Sequence, residues 1–168
     1  MKPILDKLIA NIDQNKQRAA AELLAGILGG SKHWPLAKQQ VLWEWTTPLL
    51  PKILGSNVKT DTLNIWTTFV EYMFGGRDPR RSQPLVDYIV EQGVNADYNG
   101  ESSIEASRSA SFWRAMAEEL GWRFGAWVDQ YVERHWMELA SEHDEVRAYV
   151  ADALELSGKI KVSEGDYG

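Results

Sequence analysis

The chain is 168 residues long, with 44% hydrophobic and 25% charged residues, a formal net charge of −6 and a pI near 5.1. That length holds one domain with a substantial core or three to four stacked helix pairs, and the composition is that of an ordinary soluble protein, not a disordered one. With no cysteine, disulfide frameworks, thiolate metal sites and cysteine nucleophiles are excluded, and the acidic balance disfavours broad nucleic-acid binding.

No stretch approaches the roughly 20 uninterrupted apolar residues that span a bilayer, and Met1-Lys2-Pro3-Ile4-Leu5-Asp6 lacks a signal peptide's apolar core. The expectation is an intracellular protein with no membrane partner.

The elements follow from helical spacing and breaker residues. Ile4, Leu5, Leu8, Ile9 and Ile12 read as the second helix of a pair whose first helix is missing. Ala20, Leu23, Leu24, Ile27 and Leu28 form the stripe of a leading helix, with Gly29-Gly30 as its stop through left-handed backbone angles. Pro35 suits the first turn of the next helix, which carries Leu42, Trp45, Leu49 and Ile53 and kinks or restarts after Thr46-Thr47 because of Pro48 and Pro51.

A second leading helix holds Leu63, Trp66, Val70, Met73 and Phe74 and stops at Gly75-Gly76. Asp78 as N-cap and Pro79 then open a helix striped by Leu85, Val86, Ile89 and Val90. Residues 93–103, polar and turn-rich, read as one long loop. A third pair places Phe112, Ala115, Met116 and Leu120 before a break near Gly121, then Phe124, Trp127, Val128, Tyr131 and His135. A last helix from Asp144 to Leu156 buries Val146, Tyr149, Val150 and Ala153, and residues 157–168 read as a flexible tail.

Leading helices thus begin near Lys16, Thr60, Ser103 and Asp144, a spacing of roughly 41–44 residues, which is the period of HEAT or armadillo units. The predicted fold is all-α: an α-solenoid of HEAT-like helix pairs over residues 1–156, about three full repeats with a half repeat at each end. Open-ended repeats predict a slice of a longer array whose neighbouring repeats are partners.

Against this frame, Ala21-Glu22-Leu23-Leu24-Ala25-Gly26-Ile27-Leu28 followed by Gly30-Ser31-Lys32-His33-Trp34, then Leu42-Trp43-Glu44 before Pro48-Leu49-Leu50, Arg77-Asp78-Pro79-Arg80, Trp122-Arg123 and Val146-Arg147 resemble, in the same order, an internal segment of the large HEAT-repeat proteasome activator family. The resemblance implies part of a single-chain cap that sits on the core proteasome and modulates its gate without ATP, by binding and not by catalysis. It also implies a nuclear and cytoplasmic protein linked to acetylated histones, DNA repair and spermatogenesis. The family docks through a tail with a penultimate tyrosine; this chain ends Asp166-Tyr167-Gly168, with Asp where a hydrophobic residue should precede, and the match is read as coincidence. The alternative function is a generic HEAT scaffold for another protein partner.

The repeat register places Lys32, His33, Arg77, Arg80, Arg81 and Arg123 in the turns within helix pairs, where stacking would align them as a basic edge near helix amino termini. The cations are concentrated in residues 1–84, so this edge is a candidate for an acidic partner or for inositol polyphosphate, a ligand class the resemblance implies; no other cofactor is expected. The competing structural role is that these cations neutralise carbonyls at the ends of the leading helices.

Of the eight tryptophans, Trp45, Trp66 and Trp127 fall on apolar stripes and are expected in the core, while Trp34 and Trp43 are ambiguous and Trp34 could staple its turn. His135, Glu138, Glu142 and His143 match no metal-ligand spacing, and no phosphate loop, nucleophile elbow or kinase signature occurs, so no catalytic residue and no enzyme is expected.

Overall fold

The computed structural model describes residues 2–10, 13–55, 58–96 and 103–165, and among these there is helix but no strand. In chain order the helices are α1 (Lys2–Ile9), α2 (Gln14–Gly30), α3 (Leu36–Thr46), α4 (Leu50–Leu54), α5 (Leu63–Phe74), α6 (Gln83–Asn95), α7 (Ser103–Leu120), α8 (Gly125–His135) and α9 (Asp144–Gly165). Short 3₁₀ segments sit at Thr47–Leu49, Thr60–Thr62, Pro79–Arg81, Gly121–Phe124 and Trp136–Ala140. The chain forms two compact units, residues 1–85 and 86–168.

In the first unit α2 is central and packs against α1, α4 and α5. Asp13 caps it, its carboxylate accepting from the Asn15 amide at 2.8 Å. Ala20, Ala21, Leu24, Ala25 and Leu28 supply the buried face, and Leu63, Trp66, Val70, Met73 and Phe74 answer from α5. Pro48 and Pro51 have the expected effect: the α-helix ends at Thr46, tightens through Thr47–Leu49 and restarts as α4.

Two expectations about this unit are corrected. Gly29 and Gly30 do not stop α2 through left-handed angles, since both are helical and the helix ends on Ser31, whose amide donates to the Ile27 and Leu28 carbonyls. Gly29 is small for a packing reason: a Cβ there would lie 2.6 Å from the Tyr72 ring. Among the described residues of this unit, the left-handed stop is made by Gly76 at φ 64°. The buried tryptophan of α3 is Trp43, while Trp45 is only half-buried.

In the second unit α9 packs along α7 and α8. Trp113, fully buried on α7, stacks on Tyr131 with ring centroids 4.0 Å apart and meets Phe124 edge-on at 4.7 Å. Its indole donates to Ser157 Oγ at 3.2 Å. That bond and the burial of Ile160 explain why α9 does not end at Leu156 but continues to Gly165. The loop expected at 93–103 is shorter too: α6 runs to Asn95, and residues 97–102, like the terminal Asp166-Tyr167-Gly168, lie outside the described residues. Trp127, expected in the core, is half-buried against Phe124.

In both units, then, consecutive leading helices pack on each other, α2 with α5 and α7 with α9, the relation that defines a HEAT-like repeat.

Candidate functional site at the turns within helix pairs

The turn after α2 and the turn after α5 are drawn together by side chains that the chain places far apart. Arg77, directly after Gly76, is only 2% exposed. Its Nη2 donates to the Leu28 carbonyl and to Ser31 Oγ, the latter at 2.7 Å, so the guanidinium sits on the carboxyl end of α2. The Trp43 ring lies 6.0 Å from its central carbon. Burial, with Arg81 nearby, lowers its pKa to about 10. Among the described residues no carboxylate pairs with it, and Nε and Nη1 have no hydrogen-bond partner.

Helix α3 completes the cluster. Gln39 Nε2 donates to the carbonyls of Ser31 and Lys32 at 2.9 and 3.2 Å, and Trp43 Nε1 donates to the Arg81 carbonyl at 2.9 Å. Gln39, Trp43 and Thr46 are buried with Leu42 on one face of α3. Their spacing, i, i+3, i+4 and i+7, is the sequence signal that would have singled out Gln39 and Trp43, had polar and indole groups been admitted to the stripe.

The expected basic edge is therefore only partly exposed. Arg77 is corrected from an edge residue to a buried one, because the orphan carbonyls of α2 draw it inward. Arg80 is exposed and paired with Asp78 at 2.6 Å, and that carboxylate also caps the Arg80 amide at 3.0 Å, as expected of the residue before Pro79. The pairing raises the Arg80 pKa. Arg81 Nη1 donates to the Trp34 carbonyl at 3.1 Å. Lys32 is half-buried and packs over Gly76, and His33 is exposed. Arg123 belongs to the second unit, where its Nε donates to the Leu120 carbonyl at 3.1 Å at the end of α7.

The residues weighed as metal ligands do not converge. His135 is buried, with Nε2 against the Gly93 carbonyl, and burial lowers its pKa to about 4. His143 is exposed, and among the described residues no three histidine or carboxylate groups approach closely enough to hold a metal. Among those residues no helix is long and apolar enough to cross a membrane.

Stacked leading helices, turn cations on helix carboxyl ends and apolar seams define an α-helical repeat protein of the HEAT type. A family model described as proteasome activator complex subunit 4-like, HEAT repeat-like, matches residues 1–108. Over 163 residues, 97% of this chain, the sequence is 31% identical to proteasome activator complex subunit 4 of Bos taurus and 30% identical to that of Homo sapiens. Subunit 4A of Danio rerio is 29% identical over 154 residues, 92% of this chain. The chain belongs to the proteasome activator complex subunit 4-like HEAT-repeat family. It spans about 9% of the length of the curated relatives it matches in cattle and humans.

Proposed function

We propose that this chain is a segment of an ATP-independent proteasome activator, one that caps the core proteasome and modulates its gate through binding. The reading rests on one observation above others: the family match covers the whole first unit, the unit that carries the linked turns. Its chemistry is consistent with a binding role, since the site's polar groups hold helix ends and each other. Within such a protein the segment contributes helix pairs to a larger array, and the nucleus and cytoplasm are where it would act.

An inositol polyphosphate, if bound at this edge, would be held by Lys32 and His33 with Arg81, because Arg77 is committed inward and Arg80 is paired with Asp78. The decisive experiment is native-gel electrophoresis of the purified chain with core proteasomes, scored by co-migration and by fluorogenic peptide hydrolysis. Co-migration that survives moderate salt supports a docking surface in this segment. A folded chain that ignores the core particle but captures another protein favours the generic scaffold instead.

A further inference from the structure

In the second unit, the end of α6 and the start of α7 line a polar cavity of about 230 Å³. Glu91, Gln92 and Asn95 come from α6, and Glu105, Arg108 and Ser109 from α7. Their spacings, i, i+1, i+4 and i, i+3, i+4, set each group on one side of its helix. The same two helices also form an apolar seam, where a Cβ on Gly93 would touch the Trp113 ring. The cavity offers instead two carboxylates, a guanidinium, two amides and a hydroxyl.

Arg108 is the unusual member. Only 7% exposed, it nevertheless contributes to the cavity wall. Its Nη2 lies 3.8 Å from Glu105 Oε1, outside hydrogen-bond distance, and the Glu105 side chain is 59% exposed. Tyr88, one turn before Glu91 on α6, feels both signs of charge. Burial raises its pKa, Arg108 opposes that rise and Glu91 adds to it, so Arg108 and Glu91 lie within electrostatic reach of one phenol.

The mixture of signs selects the ligand. A simple anion drawn to Arg108 meets repulsion from Glu91 and Glu105, and a simple cation drawn to those carboxylates meets repulsion from Arg108. A molecule that carries both charges close together avoids both penalties. The 3.8 Å between Arg108 and Glu105 suits an ammonium and a carboxylate borne by one carbon. A peptide separates these charges along its chain, so either end offers the site only one of them. Size points the same way, because the cavity is smaller than the roughly 300–1,000 Å³ that drug-sized ligands occupy.

We infer that this cavity binds a free α-amino acid with a polar, uncharged side chain. Its carboxylate lies against Arg108 and its ammonium against Glu91 and Glu105, while Gln92, Asn95 and Ser109 hydrogen-bond the side chain. The site belongs to the second unit and does not depend on proteasome docking.

The probe is L-glutamine, titrated at millimolar concentration into the full chain and followed by amide chemical shifts in NMR. The expected result is saturable shifts centred on residues 91–96 and 105–109. N-acetylglutamine, which lacks the ammonium, glutaminamide, which lacks the carboxylate, and alanylglutamine should each bind about tenfold more weakly, the loss of one charge-assisted contact. Glu91→Gln with Glu105→Gln changes two exposed side chains, and the fold should be unchanged by circular dichroism. With Arg108 then the remaining charge of the site, the double variant should reverse the preference and bind N-acetylglutamine more tightly than glutamine. No saturable shift, shifts confined to other residues, or equal affinity for glutamine and its two blocked forms overturns the inference. An unreversed preference in the double variant does so too, and tighter binding of alanylglutamine overturns it by assigning the cavity to a peptide end.

Discussion

The guanidinium of Arg77 donates to the carbonyl of Leu28, 49 residues earlier in the chain. Through that bond the turn of one helix pair closes the carboxyl end of the leading helix of the pair before it, and Trp43 and Gln39 of the intervening helix fasten both turns. Replacing Arg77 with alanine removes a large buried side chain and leaves the Leu28 and Ser31 acceptors without it, an expected loss of about 2–4 kcal/mol in urea unfolding. Arg77→Met should lose less, because the native cation has no buried carboxylate to abandon and its burial already opposes the charge. Equal losses in the two variants would deny that packing, and not charge, carries most of the effect.

His135 makes the second unit acid-sensitive. Its folded pKa of about 4 lies below the ordinary value of 6.5, so between these values the unfolded chain binds more protons than the folded one. The stability from keeping His135 neutral is present above about pH 6.5 and is lost as pH falls toward 4, by up to about 3 kcal/mol. Urea midpoints measured across this window should decline in the parent, and His135→Gln should flatten that decline.

Two helical glycines should respond in opposite directions to alanine. Gly26→Ala places its Cβ in open space and should stabilise by about 0.5–1 kcal/mol. Gly93→Ala drives a Cβ to 2.9 Å from the Trp113 ring, which is fully buried and cannot retreat, so overpacking by about 1–3 kcal/mol should outweigh the propensity gain. Thermal unfolding of the two variants beside the parent reads both signs.

In the turn after α5, Arg80→Ala removes an exposed pair and should leave the unfolding midpoint where it is. Lys32→Ala with His33→Ala should instead weaken any inositol hexakisphosphate binding seen by calorimetry, with the fold unchanged by circular dichroism. Undiminished binding in that double variant would remove the turn after α2 from the polyphosphate reading.

Helical periodicity, breaker residues and the near-constant spacing of leading helices made the all-α repeat legible from sequence alone, because they are local properties of one apolar face and of proline and glycine backbones. Ser103 and Asp144 open α7 and α9 where the sequence places them, whereas Asp78 caps the 3₁₀ turn Pro79–Arg81 and α6 opens only at Gln83. Tertiary contact decided the rest. Whether a turn arginine faces solvent or a helix end depends on unpaired carbonyls supplied by another repeat, which is why Arg77 reads as an edge residue in sequence and is buried in the structure. Whether a glycine marks a stop or a close contact depends on what lies across from it, Tyr72 for Gly29 and open space for Gly26. The burial of Trp43 and Trp113 and the continuation of α9 past Leu156 likewise turn on partners that periodicity within one helix does not register.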